Sequence, residues 1–537
     1  MARSSDSSVS TTTATAKTLL TLAIETSCDD TCVAILEKLP FSSGARLHFN
    51  EKITSDNREF RGVHPLTSVV SHTANLAPLV EKALRALPLA GKHDEHCRIA
   101  NGEEGEAKTK TEAGADVLWV DGRPRRKPDF IAVTRGPGMT SNLSTGLNTA
   151  KGLAVAWGVP LVGVHHMQAH ALTPRLVAAL EKGKGGERDD SKAKEEEGEG
   201  RADGEEEEND PAFPFLSLLV SGGHTLLVHS RSLTSHAILA QAMNIAIGDM
   251  LDKCARVILP AEYLSSPSVS SPSPSSPSDS SSTGSVMYGA LLEKFVFPDD
   301  ITTADHDKYE YVPPARRADE ILPFDSGLGW ALTPPLSGTT AMAYDFAGFN
   351  SQVQRAVEDR PADSSMGVEE RRLLGRHAMR LAFEHLVSRL LFALRDLRRQ
   401  QPRRDGRGNG NEETEEVKTV VVSGGVASNR YLMHILRATL AARGFGSLRV
   451  VAPPPALCTD NAAMIAWAGA EMFEAGWRTD MDVLAIRKWP LESESGSDSQ
   501  GAGGEAGEDG GNGILGVGGW RRIDAGFKSR AMKTHEL

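Results

Sequence analysis

Hydrophobic and polar positions along the chain fall into ordered stretches separated by segments that no core can hold. A strand-like apolar run, Thr18–Ile24, is followed by a second over Cys32–Leu36, and the pattern then turns helical up to Leu87. Residues 90–127 are polar and read as an excursion. Residues 129–180 read as strand, glycine turn, helix, strand and helix. Two apolar runs between Phe213 and Ser230 flank Ser221-Gly222-Gly223-His224-Thr225 as a hairpin-like pair. A long amphipathic helix is predicted over 371–399, a strand over Lys418–Val422, a helix from about Asn429 and an apolar helix over Ala462–Ala470. Strand, glycine turn and helix recurring in this order predict an α/β fold with loop insertions between its elements.

The insertions carry most of the charge. Residues 181–210 hold a net −8 and residues 491–513 a net −6 of the chain's −12, so the remainder is about +2 and is free to approach a polyanion such as RNA. Residues 265–285 hold thirteen serines and four prolines and cannot pack a core. A further polar excursion spans 402–416. No run of eighteen apolar residues occurs, so no transmembrane helix is expected. Five irregularly spaced cysteines (Cys28, Cys32, Cys97, Cys254, Cys458), without a secretory signal, read as reduced thiols. The first seventeen residues hold nine Ser or Thr and a single acid, a composition shared by organelle transit peptides and plain disordered tails.

Four short loops each follow an apolar strand: Glu25–Thr31, Gly136–Ser141, Val220–Thr225 and Val422–Asn429. Paired glycines let a backbone approach a ligand closely, and N–H groups at a helix start favour anions. One Gly-Gly is an ordinary turn. Four such loops, two of them near-repeats of Val-Ser-Gly-Gly, predict two lobes with phosphate loops facing each other, as in the actin, Hsp70 and sugar-kinase type of nucleotide cleft. No Walker sequence is present. The first lobe then spans 18–180 and the second 211–459, while 460–491 returns as a closing helix to the first lobe and 492–537 is a polar tail.

His166-Met167-Gln168-Ala169-His170 places two imidazoles four residues apart on one helix face. Asp460, far along the chain, would complete a two-histidine-one-carboxylate set with coordination positions left open for substrate. The competing readings are a pair of core histidines and, for Asp460 or Thr459, a cap on the helix that follows. A zinc protease helix carries a glutamate after its first histidine, and here that slot is Met167.

These motifs, in this order, resemble the tRNA threonylcarbamoyladenosine transferase family, once named O-sialoglycoprotein endopeptidases. Ile24–Thr31, Gly136–Gly138, His165–His170, Leu219–Thr225, Gly248–Lys253, Gly424–Arg430 and Cys458–Asn461 match the family's motifs between residues 21 and 491. The resemblance implies a two-lobed actin-like (Hsp70-like) α/β fold. It implies a divalent cation, iron or zinc, on His166, His170 and Asp460. It assigns Leu219, Val220, Ser221, Gly222, Gly223, Asp252, Gly289 and Asn429 to an adenylate, with Asp252 on the ribose. It implies transfer of threonylcarbamoyl from threonylcarbamoyl-AMP, made by a separate synthase, to the adenosine beside the anticodon of tRNAs reading ANN codons. It names no general base. The alternatives are a metalloprotease and an ATP-hydrolysing binding protein. Departures such as His64-Pro65-Leu66 and Gln168-Ala169 lean towards the mitochondrial branch rather than the cytosolic one, and that branch brings the expectation of a protein working alone or as a homodimer rather than in a larger complex. Two basic clusters are candidates for RNA contact: Arg123–Lys127, and Arg371, Arg372, Arg376 and Arg380 at helical spacing.

Overall fold

The computed structural model describes residues 18–40, 44–60, 63–90, 117–185, 210–265, 288–298, 309–360, 365–400, 416–492 and 513–523. Residues 1–17 and nearly all of the acidic, serine-rich and 402–416 insertions lie outside them.

The first apolar run and its successor form an antiparallel hairpin, β1 (Leu19–Glu25) and β2 (Asp30–Lys38), in register from Leu19↔Lys38 to Glu25↔Cys32. β3 (Ala45–Thr54) adds antiparallel to β2, and α1 (Pro65–Leu84) crosses behind. The excursion over 90–127 ends in an ordered hairpin rather than a loop, β4 (Val117–Val120) and β5 (Arg123–Arg126). Each strand is only four residues long, β4 a short apolar run and β5 rich in arginine, so no apolar alternation announced the pair. β6 (Phe130–Gly136) then runs parallel to β1, α2 (Thr140–Trp157) returns, β7 (Leu161–His165) runs parallel to β6, and α3 (His166–Gly185) follows directly.

The second lobe repeats the plan. β8 (Phe215–Val220), β9 (Thr225–Ser230) and β10 (His236–Ala242) form an antiparallel meander. Then come α4 (Ile247–Ile258), α5 (Ala261–Ser265), α6 (Tyr288–Val296), α7 (Arg317–Glu320), the small pair β11 (Phe324–Asp325) and β12 (Ala331–Leu332), β13 (Ala343–Tyr344), α8 (Ala347–Glu358) and the long α9 (Val368–Gln400). β14 (Thr419–Ser423) enters parallel to β8, and after α10 (Arg430–Ala442) β15 (Arg449–Val451) lies parallel to β14. The two sheets thus share one order: β3-β2-β1-β6-β7 in the first lobe and β10-β9-β8-β14-β15 in the second. This duplicated arrangement, three meandering strands followed by two parallel ones, is the actin-like α/β plan that the paired glycine loops predicted.

The chain then returns to the first lobe through α11 (Pro455–Cys458) and α12 (Ala462–Glu474). Every residue of α12 from Ala462 to Met472 is buried, including Trp467, so a helix that is apolar all round sits in the core rather than at a surface. β16 (Trp477–Thr479) joins β7, and β17 (Trp520–Arg522) pairs with β16. The tail beyond 491 therefore contains a sheet strand and a buried Ile514, where only polar sequence was expected. Three residues among glycines carry no periodic signal, and only the partner strand selects them.

Candidate metal centre and adenylate crevice

β7 delivers the chain straight into α3, and the first residue of that helix is His166. His165 caps the turn: its Nδ1 accepts from the backbone N–H of Met167 at 3.2 Å, while its Nε2 lies 3.1 Å from the Trp489 carbonyl. Complete burial pushes this imidazole down to about 3, so it is neutral, with its proton on Nε2. One helical turn separates His166 from His170, and their rings meet edge to face at 4.7 Å. Pro174 lies four residues past His170 and removes the N–H that would bond its carbonyl, a local break just beyond the two imidazoles. Met167 between them is packed in the core.

Asp460 arrives from α11. Its Oδ1 lies 3.1 Å from Nε2 of His170 and 3.6 Å from Nε2 of His166. One donor atom from each residue falls within 4.8 Å of the others, the only such group of His, Cys, Asp or Glu among the described residues. Metal–nitrogen and metal–oxygen bonds near 2 Å place neighbouring ligands about 3 Å apart, so two imidazoles and a carboxylate at these separations fit one divalent cation. The helix after Asp460 is capped by neither Thr459 nor Asp460. Asn461 takes that role, its Oδ1 accepting from Met464 N at 3.0 Å and its Nδ2 donating to the Thr459 carbonyl at 2.8 Å. Asp460 is thereby released from capping. Lys52 on β3 braces the same turn by donating to Thr459 Oγ1 at 3.1 Å and Asp30 Oδ2 at 2.9 Å.

Behind the histidines sits a residue that motif spacing did not single out. Glu25, at the end of β1, is fully buried, with Oε2 3.2 Å from His166 Nδ1 and bonded to the Thr134 hydroxyl. The Ser27 hydroxyl lies 3.3 Å from the same ring nitrogen. A carboxylate on Nδ1 turns Nε2 towards Asp460 and raises its basicity, the usual outer partner of a metal histidine. Burial opposes every charge here, yet Glu25 and Asp460 together hold His166 up at about 9. The imidazoles in turn keep Glu25 and Asp460 below the usual carboxylate range. The sequence placed Glu25 in the first loop and the opening motif without giving it a role, and the fold sets it behind His166.

The loop Thr26–Asp29 is pressed between α2 and the second glycine loop. A Cβ on Gly146 would lie 2.4 Å from Thr26 Oγ1, and one on Gly138 2.7 Å from the Ser27 carbonyl, so neither position has room for a side chain. Cys28 and Cys32 are an unreactive pair here: Cys32 is buried in β2, and burial raises both thiols well above their ordinary value.

The second lobe supplies a crevice lined by Gly222, Asp252, Gly289, Glu293, Gly425 and Asn429. Gly424 has φ +98°, and a Cβ there would lie 2.3 Å from the Val220 carbonyl, so the two Val-Ser-Gly-Gly loops are packed against one another. Gly222 and Gly223 face open space instead. Leu219 and Val220 are buried strand residues, which leaves only their backbone for a ligand. Asp252 Oδ1 accepts from Gly289 N at 2.7 Å, which joins these two residues across the serine-rich insertion. Asn429 caps α10 through Leu432 N at 2.9 Å. Glu293, not anticipated from sequence, accepts from Arg430 N at 2.8 Å and Tyr431 N at 3.2 Å, and burial raises it to about 7. It follows Gly289 by one helical turn, the only sequence trace of its place in the crevice.

Most side chains of the basic clusters are already engaged within the protein, although Arg123 stays exposed. Arg126 is committed to Glu37 and Asp129, and Arg125 to the Leu87 carbonyl. Arg371 donates to the Val257 and Ile258 carbonyls, Arg372 to Phe295 and Glu369, and Arg376 to Glu310. Arg380 lies against His377 and Glu384. Helical spacing located these arginines correctly, but the segments packed on α9 consume them.

Fold and site together define a class: a two-lobed, actin-like α/β protein with a metal-type triad on one lobe and a glycine-lined crevice on the other. A family profile described as TsaD, tRNA N6-adenosine threonylcarbamoyltransferase, matches residues 123–183, 199–290 and 299–467. The chain belongs to that family. The mitochondrial tRNA N6-adenosine threonylcarbamoyltransferase of Schizosaccharomyces pombe is 30% identical over 488 residues, covering 88% of this chain and 87% of its own. The tRNA N6-adenosine threonylcarbamoyltransferase of Rhizobium leguminosarum is 28% identical, covering 88% and 94%. Among solved structures, component A of the Acidaminococcus fermentans (R)-2-hydroxyglutaryl-CoA dehydratase is 12% identical over 85% of this chain and 97% of its own, with a TM-score of 0.33.

Proposed function

We propose that this transferase moves the threonylcarbamoyl group of threonylcarbamoyl-AMP, supplied by a separate synthase, to the exocyclic amine of the adenosine beside the anticodon in tRNAs reading ANN codons. The observation that carries this reading is the pairing of two half-sites at the strand ends of the two lobes. His166, His170 and Asp460 form an open donor set on the first lobe, and the Gly222–Asp252–Asn429 crevice lies on the second. A divalent cation, iron or zinc, on those three residues would supply charge stabilisation for the donor's oxygens. Glu25 holds the His166 ring in the orientation that such binding needs. The exposed backbone of Gly222 and Gly223 offers N–H groups to the adenylate phosphate, and Asp252 offers its second oxygen to a ribose hydroxyl. Leu219, Val220, Ser221, Gly289 and Asn429 complete the adenylate set.

A peptidase reading is disfavoured because Met167 occupies the general-base position and is packed in the core. An ATP-hydrolysing protein of the same fold would use the crevice and leave the triad without a role. No described helix is long and apolar enough to cross a membrane. The mitochondrion is the location we assign, supported by the printed name of the S. pombe relative.

Nucleoside mass spectrometry of tRNA incubated with the protein and threonylcarbamoyl-AMP tests the reaction. Threonylcarbamoyladenosine from wild type and little from His166→Ala is expected. Equal modification by both proteins would sever the reaction from this site.

A further inference from the structure

The mechanism so far uses the floor of the cleft and leaves its rim without a role. The loop Ser27–Asp29, beside His166, is flanked on both sides by exposed groups that the chemistry does not employ. At its Asp29 end stands buried Asn57, whose Nδ2 donates to Asp29 Oδ2 at 3.3 Å and to Ser55 Oγ at 2.7 Å. The carbonyl of Asn57 accepts from Phe60 N at 3.0 Å, and its Oδ1 accepts from His64 N at 3.1 Å. Those two residues are stacked face to face, with ring centroids 3.9 Å apart and planes 8° from parallel, yet Phe60 remains 48% exposed. A flat ring is thus backed by an imidazole, with both residues anchored on buried Asn57, while about half of the ring's residue surface stays exposed.

At the Ser27 end, Met139 N donates to the Ser27 carbonyl at 2.9 Å and Gly138 N to the Arg487 carbonyl at 3.3 Å. Ile486 N donates to the Arg135 carbonyl at 2.8 Å, and a Cβ on Gly136 would lie 2.1 Å from the Ile486 carbonyl. The strap Ile486–Lys488 is therefore clamped onto the glycine loop. It carries two adjacent exposed cations, Arg487 and Lys488, and no carboxylate among the described residues pairs with either. This contrasts with the arginines of α9, which are tied down.

We propose that these two flanks form the RNA-gripping rim of the site. A nucleobase of the tRNA loop, neighbouring the acceptor adenosine, stacks on Phe60, and backbone phosphates lie on Arg487 and Lys488. Unpaired loop bases are recognised by stacking on aromatic rings, and single strands by pairing such platforms with cations. The proposal rests on the tRNA-transfer reading above.

The test measures binding of the full-length protein to a transcribed tRNA reading an ANN codon, across several salt concentrations. Phe60→Ala should weaken binding about 10-fold with an unchanged salt slope, and Phe60→Trp should restore it. Arg487→Ala with Lys488→Ala should reduce the slope of log K against log salt by about 0.7 for each phosphate lost. Arg487→Lys should keep the slope. Metal content and melting temperature should not move in any of these variants. Wild-type RNA binding that both sets of variants leave unchanged overturns the rim alone. A Phe60→Ala protein that loses self-association by sedimentation while retaining RNA affinity makes the platform a protein contact and overturns it too. Wild-type protein that binds no tRNA overturns the transfer reading and the rim with it.

Discussion

Oε2 of Glu25 lies 3.2 Å from Nδ1 of His166, with both side chains sealed from solvent. One comes from the end of the first strand and the other from the first turn of the third helix. Their contact sets which ring nitrogen of His166 faces Asp460. Glu25→Gln keeps the volume and removes the charge. It should lower metal affinity about 10- to 100-fold while His166→Ala abolishes it. Competitive chelator titration reads both, and an unchanged affinity in Glu25→Gln would mean that the carboxylate does not orient the ring.

Asn461 caps α12 and leaves its neighbour Asp460 free. Asn461→Ala should cost about 1 kcal/mol in stability through the lost cap and also reduce metal occupancy, because the 459–461 turn loosens. Asn461→Ser should recover most of both. Thermal melting with and without chelator separates the effects: a loss of stability with full metal occupancy would confine Asn461 to capping.

Glu293 has its carboxyl raised to about 7 by burial, against an ordinary value of 4.5. Between those values the folded protein holds a proton that the unfolded chain has released. Stability therefore falls as pH rises through that window, by at most about 3 kcal/mol, and is flat on either side as far as this group is concerned. Glu293→Gln keeps an acceptor for the α10 N–H groups and removes the titration. Denaturant midpoints from pH 4.5 to 7.5 should fall less steeply in the variant than in wild type. Parallel profiles would show that Glu293 titrates normally.

The strap beyond residue 512 buries Ile514 and adds β17 to the first sheet, while Arg135 donates to the Gly518 carbonyl at 2.8 Å and Trp520 Nε1 to the Ile514 carbonyl at 3.0 Å. A chain ending at 512 should lose at least about 2 kcal/mol through the exposed core contacts alone. It should also loosen Trp489, whose carbonyl holds His165 and hence the start of α3. Melting temperature and metal affinity should fall together. A drop in the first without the second would restrict the strap to stability.

What the sequence determined by itself is local. The i, i+4 spacing of His166 and His170 places both on one helix face wherever that helix lies, and the Gly-Gly pairs at strand ends mark backbone that can approach a ligand. Long apolar periodicities located α9 and α12, and the order of the loops pointed to two similar lobes. Tertiary structure decided everything that depends on a second chain segment. It chose Asn461 over Thr459 and Asp460 as the cap, because only one of three adjacent polar residues can accept from Met464 N while another meets the histidines. It brought Glu25 behind His166 from 141 positions away and Glu293 to the head of α10 from 137 positions away. It tied Arg371 and Arg372 of α9 to carbonyls of α4 and α6, and it turned glycine-flanked Trp520–Arg522 into a strand by offering β16 as a partner. Periodicity reports how a segment meets a core. It carries no information about which distant donor or acceptor will satisfy a given polar group, because that is settled only when the packed elements close around it.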